Sequence, residues 1–275
     1  MRQIYPVQGA ELEIEPTVRA GPLPPAVAEV ARLYGTGAAS LSADSQPRRP
    51  WLRANMVASA DGAGSVSGKS RGLSGPGDKM IFTVLRSLAD VILVGAGTAR
   101  AEGYRPAQIA GLWTQLRPSG TPPPIAVVTA SLTLDPASAL LTDAAGCART
   151  IVITTTDAPA DRKAAMARTA RIIEAGRQHV DVTLAMSELV RLGYSHILCE
   201  GGPTLLGQLI DAGLLDELCL TTSPVLAAGE AGRIVTEPSP GTGSPESVAA
   251  VTTELTLAHV LADESFLISR YLRKP

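Results

Sequence analysis

Short apolar runs alternate with helix-period segments along most of the chain, and this alternation limits the fold more than any other feature. Residues 90–94, 124–129, 150–154, 171–175, 196–199 and 215–223 read as strands, joined by an earlier strand candidate at 51–60. Several of these runs are continuously apolar, the pattern of strands buried on both faces. Helices are predicted over 76–88, 160–169, 182–192 and 203–212, with Gly193 and Gly213 as stops. The first of these opens on Pro76 and carries Met80, Ile81, Val84, Leu85 and Leu88 on one face. Parallel strands need such crossover helices. The fold class is therefore α/β, a mostly parallel central sheet with helices on both faces. Two strand-like runs at 254–262 and 264–272, turning at Asp263, add an antiparallel C-terminal hairpin at the edge.

Prolines at 6, 16, 22, 24, 25, 47 and 50 interrupt the first fifty residues. One short helix over 24–34, closed by Gly35, is expected there, and 40–50 reads as a linker. Residues 1–50 are thus taken as a peripheral extension and 51–275 as the domain, with a Pro/Gly/Ser loop at 237–247. A 45% hydrophobic, 18% charged composition belongs to a globular chain. The net charge of −2 and the lack of a basic stripe argue against nucleic acid. Cys147, Cys199 and Cys219 lie far apart without a CxxC, so buried thiols are expected, not a metal site or a disulfide framework. No apolar run reaches the ~18 residues of a membrane span, and no apolar signal core opens the chain, so a cytoplasmic protein is expected.

Ligands of open parallel sheets bind beyond the carboxyl ends of the strands. The strand at 90–94 is followed by Gly95-Ala96-Gly97-Thr98, which starts like a dinucleotide fingerprint but has Arg100 in the sixth position. It reads as a tight turn or as backbone that lets a ligand approach closely. Cys199 is followed by Glu200-Gly201-Gly202-Pro203-Thr204-Leu205, two glycines between a buried strand and a helix. Free N–H groups and the helix dipole there favour a phosphate; a plain strand–helix turn is the alternative. The Gly/Ser-rich stretch 61–77, starting at Asp61-Gly62, is a substrate loop or lid, or a solvent loop. Arg86 is a planar clamp for an anion or a solvated charge near a helix end.

Taken in order, "NMVASADG", "SGKSRGLSGPGDKMIFTVLRSLADVILVGAGTARAEGY" and "ILCEGGPTLLGQLIDAGLLDELCLTTSPVLAAG" resemble the reductase domain of the bifunctional riboflavin-biosynthesis deaminase/reductase. The resemblance spans roughly residues 51–272. It implies a dihydrofolate-reductase-like fold, a homodimer, and NADPH-dependent reduction of 5-amino-6-(5-phosphoribosylamino)uracil or a related pyrimidine. On the cofactor side it implies Ala58, Gly95, Gly97, Thr98, Gly201, Gly202, Pro203, Thr204, Leu205 and Leu206. Thr129 and Ser131 fall where this fold holds the 2′-phosphate, although dihydrofolate reductases place a basic residue there and this chain has Thr129-Ala130-Ser131. On the substrate side it implies Ser70 and Arg86, gripping the ribose phosphate, together with Asp61, Tyr104 and Arg105. Glu200 and Glu102 are the expected catalytic carboxylates, orienting substrate or delivering a proton to the developing amine. The deaminase half and its zinc motifs are absent from this sequence. Glu102-Gly103-Tyr104-Arg105 replaces the family's Asp-Pro-x-Leu, and Gly72 replaces an aromatic residue. Two other readings stay open: dihydrofolate reductase activity, with Glu200 or Asp61 anchoring the pterin's amino-amidine edge, and a non-catalytic NADPH-binding module.

Overall fold

The computed structural model describes residues 1–5, 25–39, 49–117, 119–144, 148–237 and 252–274. Strand β1 (Arg2–Tyr5) and helix α1 (Pro25–Ala39) precede β2 (Trp51–Ser59), α2 (Pro76–Leu88), β3 (Val91–Gly95) and α3 (Ala96–Ala101). Then come β4 (Ile125–Val128), α4 (Ala139–Thr142), β5 (Ile151–Thr154), α5 (Ala160–Ala167), β6 (Arg171–Glu174), α6 (Val182–Arg191), β7 (His196–Cys199) and α7 (Pro203–Asp211). Strands β8 (Glu217–Ser223), β9 (Leu255–Asp263) and β10 (Phe266–Arg273) close the described chain. All ten strands form one sheet in the order β1-β9-β10-β8-β2-β7-β3-β4-β5-β6. From β8 to β6 every pairing is parallel. The three pairings among β1, β9, β10 and β8 are antiparallel.

Alternation along β3 shows why both faces are covered. Ile92 and Val94 pack with Ile81, Val84 and Leu85 of α2, while Val91 and Leu93 pack with Leu189 of α6 and Leu205 and Leu209 of α7. Successive strand side chains point to opposite faces, so a run of four buried apolar residues serves two cores. Cys199 and Cys219 are buried free thiols; Cys147 lies outside the described residues, as do 238–247 of the expected loop. No helix among the described residues is long and apolar enough to cross a membrane.

The N-terminus departs from the sequence expectation. β1 pairs with β9, and Val27, Val30, Ala31 and Tyr34 of α1 are buried, so these residues complete the sheet and one core. α1 also runs past Gly35, which lacks the positive φ of a C′ glycine. The hairpin turns at residues 264–265, one residue later than expected. Its outer strand β9 pairs with β1 at Val260, Leu261 and Ala262.

One mismatch in strand length positions the site. β7 ends at Cys199 opposite Ala54, whereas β2 continues to Ser59. From Asn55 onward β2 has no β7 neighbour, and the gap beyond Cys199 opens a crevice at the carboxyl ends of the central strands.

Candidate active site

That crevice is a cavity of about 780 Å³, floored by Asn55, Met56 and Val57 of β2. Helix α2 forms one wall with Asp78, Phe82 and Arg86. Residues four apart share a helix face, so the three side chains line up along about 12 Å of helix axis.

Glu200 follows β7 directly and is 7% exposed. Arg86 meets it as a two-pronged ion pair, Nε to Oε1 and Nη2 to Oε2, both at 2.7 Å. The Tyr104 hydroxyl donates to Oε2 at 2.6 Å. The Arg86 guanidinium lies over the Phe82 ring, 4.2 Å from its centroid. Burial alone would lower the Arg86 pKa, but Glu200 and Tyr104 hold it above its usual value. Burial first, and then the Glu200 charge, push the Tyr104 phenol well above 10. The proton-delivery role expected of Glu200 does not fit this geometry, since both carboxylate oxygens accept bonds from Arg86 and Tyr104. Arg86, expected to clamp a phosphate, turns its fork to Glu200 instead.

Tyr104 reaches Glu200 because of how α3 ends. Glu102 is the C-cap and Gly103 the left-handed residue after it, at φ +66°. The Gly103 N–H donates to Arg100 O and the Tyr104 N–H to Ala99 O, a Schellman turn. Proline, held near φ −65°, cannot occupy Gly103. Glu102 faces the cavity with Oε1 accepting the Ser70 N–H at 2.6 Å, which ties the Gly/Ser loop to α3.

The two glycine turns meet. The Gly95 N–H donates to Gly201 O at 2.8 Å. A Cβ on Gly202 would overlap the Thr98 hydroxyl. Gly201 has φ +86°, and the Gly201–Gly202 peptide is cis. Thr98, Gly202 and Pro203 line the cavity, and α7 has no side-chain cap, so its first-turn N–H groups remain available. Bare backbone at a helix N-terminus beside a long cavity fits a dinucleotide pyrophosphate.

The remaining candidates divide. Ser70 and Arg105 line the cavity. Asp61 does not: it accepts from the Ser59 hydroxyl and the Ala227 N–H, and these bonds hold its pKa low while pinning the loop. Leu205 and Leu206 are core residues, and Ala58 is buried on β2. Gly97 is exposed with open space around it. Thr204 pairs with Thr236 at 3.2 Å. Thr129 is buried and accepts the Leu132 N–H, whereas Ser131 is exposed. Beside Ser131, Arg162 donates to Ser131 O at 2.9 Å and Arg100 to Thr133 Oγ1 at 3.0 Å.

Asp78, Phe82, Asn55 and the segment around Arg233 escaped the sequence reading. The spacing Asp78-x3-Phe82-x3-Arg86 was a usable signal for the first two. The 232–236 segment had none; it is drawn over the cavity by Gly64 N–H to Gly232 O and Thr236 N–H to Pro203 O.

Residues 50–267 match the family model described as the RibD C-terminal domain. The chain belongs to that family. It is 28% identical over 229 residues to the 2,5-diamino-6-ribosylamino-4(3H)-pyrimidinone 5′-phosphate reductase of Methanothermobacter thermautotrophicus, covering 82% of this chain and 99% of the relative. The protein of the same description from Archaeoglobus fulgidus is 32% identical over 187 residues, 66% of this chain and 83% of that one. A solved pyrimidine reductase-like protein from Corynebacterium diphtheriae superposes with a TM-score of 0.71 at 26% identity, covering 82% of this chain and 92% of that one. This RibD-type α/β domain is therefore an oxidoreductase that draws on a nicotinamide cofactor.

Proposed function

We propose that this chain uses NADPH to reduce 5-amino-6-(5-phosphoribosylamino)uracil, or the related 2-aminopyrimidinone, at the ribose carbon attached to nitrogen. The observation that carries the reading is one cavity holding both the Thr98/Gly202 backbone cradle and the buried Glu200–Arg86–Tyr104 cluster. When bound, the cofactor supplies a hydride to C1′ of the opened, imine form of the sugar.

The chain's own residues orient, exclude water and manage charge. Arg86, stacked on Phe82 and anchored by Glu200, fixes a positive charge in a half-buried wall without solvent reorganisation. Of the two expected catalytic carboxylates, Glu102 keeps the freer oxygen: among the described residues its Oε2 has no hydrogen-bond partner. It is the group that manages the proton taken up by nitrogen as the hydride adds to C1′. Arg71, Lys79, Arg105 and Arg233 line the cavity as exposed side chains, and none forms an ion pair among the described residues. They suit the substrate's 5′-phosphate. Arg100 and Arg162, beside Ser131 and Thr133, suit the cofactor's 2′-phosphate and favour NADPH over NADH. Homodimerisation remains part of the proposal, to be read by sedimentation.

The test is turnover by the purified protein with each pyrimidine. Loss of NADPH should match formation of the ribitylamino product, and R100A/R162A should raise KM for NADPH about tenfold or more, the worth of one charged hydrogen bond, while sparing NADH. No oxidation of NADPH with either pyrimidine would overturn the reading.

A further inference from the structure

A second cavity, of about 200 Å³, lies at the amino ends of the central strands, the end opposite the crevice. Trp51 and Arg53 of β2 and His196 of β7 form its floor, Leu85 and Leu88 of α2 one wall, and Tyr34 of α1 its cover. Helix α1 lies outside the residues 50–267 that match the family. Arg53 is 8% exposed, and its Nε and Nη2 both turn to Glu217. Nη2 also reaches the Tyr34 carbonyl. Nη1, the remaining prong, has no hydrogen-bond acceptor among the described residues. A guanidinium carries five N–H donors, and a buried charged donor without an acceptor is costly.

Charge around Arg53 is also out of balance. Arg53 and Arg270 share the single carboxylate of Glu217, which accepts the Trp51 Nε1–H at 3.0 Å and the Cys219 thiol as well. Burial pushes the Tyr34 phenol and the Cys219 thiol well above their ordinary values, so both are neutral. His259, lowered to about 4 mainly by burial, is neutral at pH 7. The Leu33 and Tyr34 carbonyls bond the guanidiniums but bring no formal charge. Two cations therefore face one anion, and one positive charge is left over beside the open prong.

We propose that this cavity binds a small organic monocarboxylate, with its carboxylate on Nη1 of Arg53 and its apolar body against Trp51, Leu85 and Leu88. One negative charge both neutralises the excess and supplies the missing acceptor. An apolar cavity of about 150 Å³ takes benzene, so this one has room for a single ring bearing a carboxylate. Inorganic phosphate suits it less, because one free prong and apolar walls cannot satisfy a dianion. Asp90 stays clear of the ligand: it accepts the Ser195 and His196 N–H groups and does not line the cavity. The site also touches both elements that carry the ion pair of the crevice. Leu85 and Leu88 flank Arg86 on α2, and Leu198, another lining residue, stands two positions before Glu200. Occupancy is therefore coupled to cofactor binding, and the coupling is reciprocal; this last step rests on the NADPH reading.

The probe is benzoate, with benzamide as its neutral counterpart and inorganic phosphate as an anion without an apolar body. The readout is fluorescence of W113F, in which Trp51 is the only tryptophan left. Benzoate should give a saturable change at millimolar concentration or below. Benzamide should bind at least about tenfold more weakly, the value of one charge-assisted hydrogen bond, and phosphate should not displace benzoate. Adding R53M, which leaves Glu217 and Arg270 as a balanced pair, should abolish the response. Adding L88F, which fills part of the cavity, should weaken benzoate about tenfold. Should the R53M protein not fold, L88F and the benzamide comparison still decide. NADPH is then titrated with and without saturating benzoate, and its affinity should change about fivefold or more, but not in R53M. Absence of a saturable response, equal affinity for benzoate and benzamide, or binding that survives R53M overturns the site. Unaltered NADPH affinity in benzoate overturns the coupling. None of the benzoate measurements needs turnover, so failure to reduce a pyrimidine would overturn the reductase reading and leave the carboxylate site standing.

Discussion

Glu200 is where the cavity wall is joined, because its two oxygens hold together side chains from α2 and from the turn after α3. The sequence marks Glu200 and Arg86 singly, one by its place after an apolar strand, the other by its place in an amphipathic helix. Their pairing was hidden, because the residues are 114 positions apart and nothing local couples them. E200Q keeps the shape but removes the charge, leaving Arg86 half-buried without its counterion. We expect kcat/KM to fall about 100-fold, in line with a lost charged hydrogen-bond pair. R86K should not restore function, since a lysine cannot reproduce the two-pronged geometry; near-normal kinetics in either variant would contradict this account. Gly202 gives a second residue-scale expectation. An alanine methyl there meets the Thr98 hydroxyl, so G202A should lose cofactor affinity about tenfold or more, a cost in the range of overpacking. Adding T98A should recover part of it; fluorescence titration with NADPH reads both.

At the scale of elements, legibility followed the strength of the local signal. α2 ran over Pro76–Leu88 as expected, because a proline start and an apolar stripe point to the same helix, and β7 over His196–Cys199 because four residues of strand sit between firm stops. β1 is four residues with no alternation of its own and exists through pairing with β9, so no local pattern announces it. α1 overran Gly35 because a helix interior tolerates glycine at a cost near ~1 kcal/mol when burial compensates. The Schellman turn after α3 has no strong local signal: in the sequence Gly103 stands out only by replacing a family proline, whereas its left-handed conformation is what delivers Tyr104 to Glu200. G103A should therefore cost about 1 kcal/mol of stability, the penalty for a Cβ at positive φ. It should lower kcat further than stability alone explains, because Tyr104 shifts with it. Chemical denaturation and kinetics on the same preparation separate the two effects, and unchanged kcat would show that the turn does not position Tyr104.

Across the whole molecule, α1 and the C-terminal hairpin are bound to the parallel sheet by a buried ionic cluster. Glu217 of β8 receives two prongs from Arg53 of β2 and two from Arg270 of β10. Arg53 and Arg270 also donate to the Tyr34 and Leu33 carbonyls of α1. Burial opposes the charge on Glu217, yet the two guanidiniums hold its pKa below the usual carboxylate value. E217Q would strand two buried cations and should cost about 3–5 kcal/mol, seen as a lower urea midpoint. The same region contains His259 of β9, 4% exposed and edge-on to Tyr34, with its ring centroid 5.0 Å away. Burial first, then Arg270, lower its pKa from 6.5 to about 4. Between those two values the unfolded chain binds a proton that the folded chain refuses, so stability must fall as pH drops from 6.5 toward 4 and the loss levels off below. H259F keeps an aromatic ring against Tyr34 but cannot titrate. The difference in melting temperature between wild type and H259F should therefore move in the variant's favour as pH falls from 7 to about 4.5, on top of whatever constant difference the ring exchange brings. Parallel melting curves across that range would mean that His259 is reached by solvent in the folded protein and that the cluster does not seal this end of the sheet.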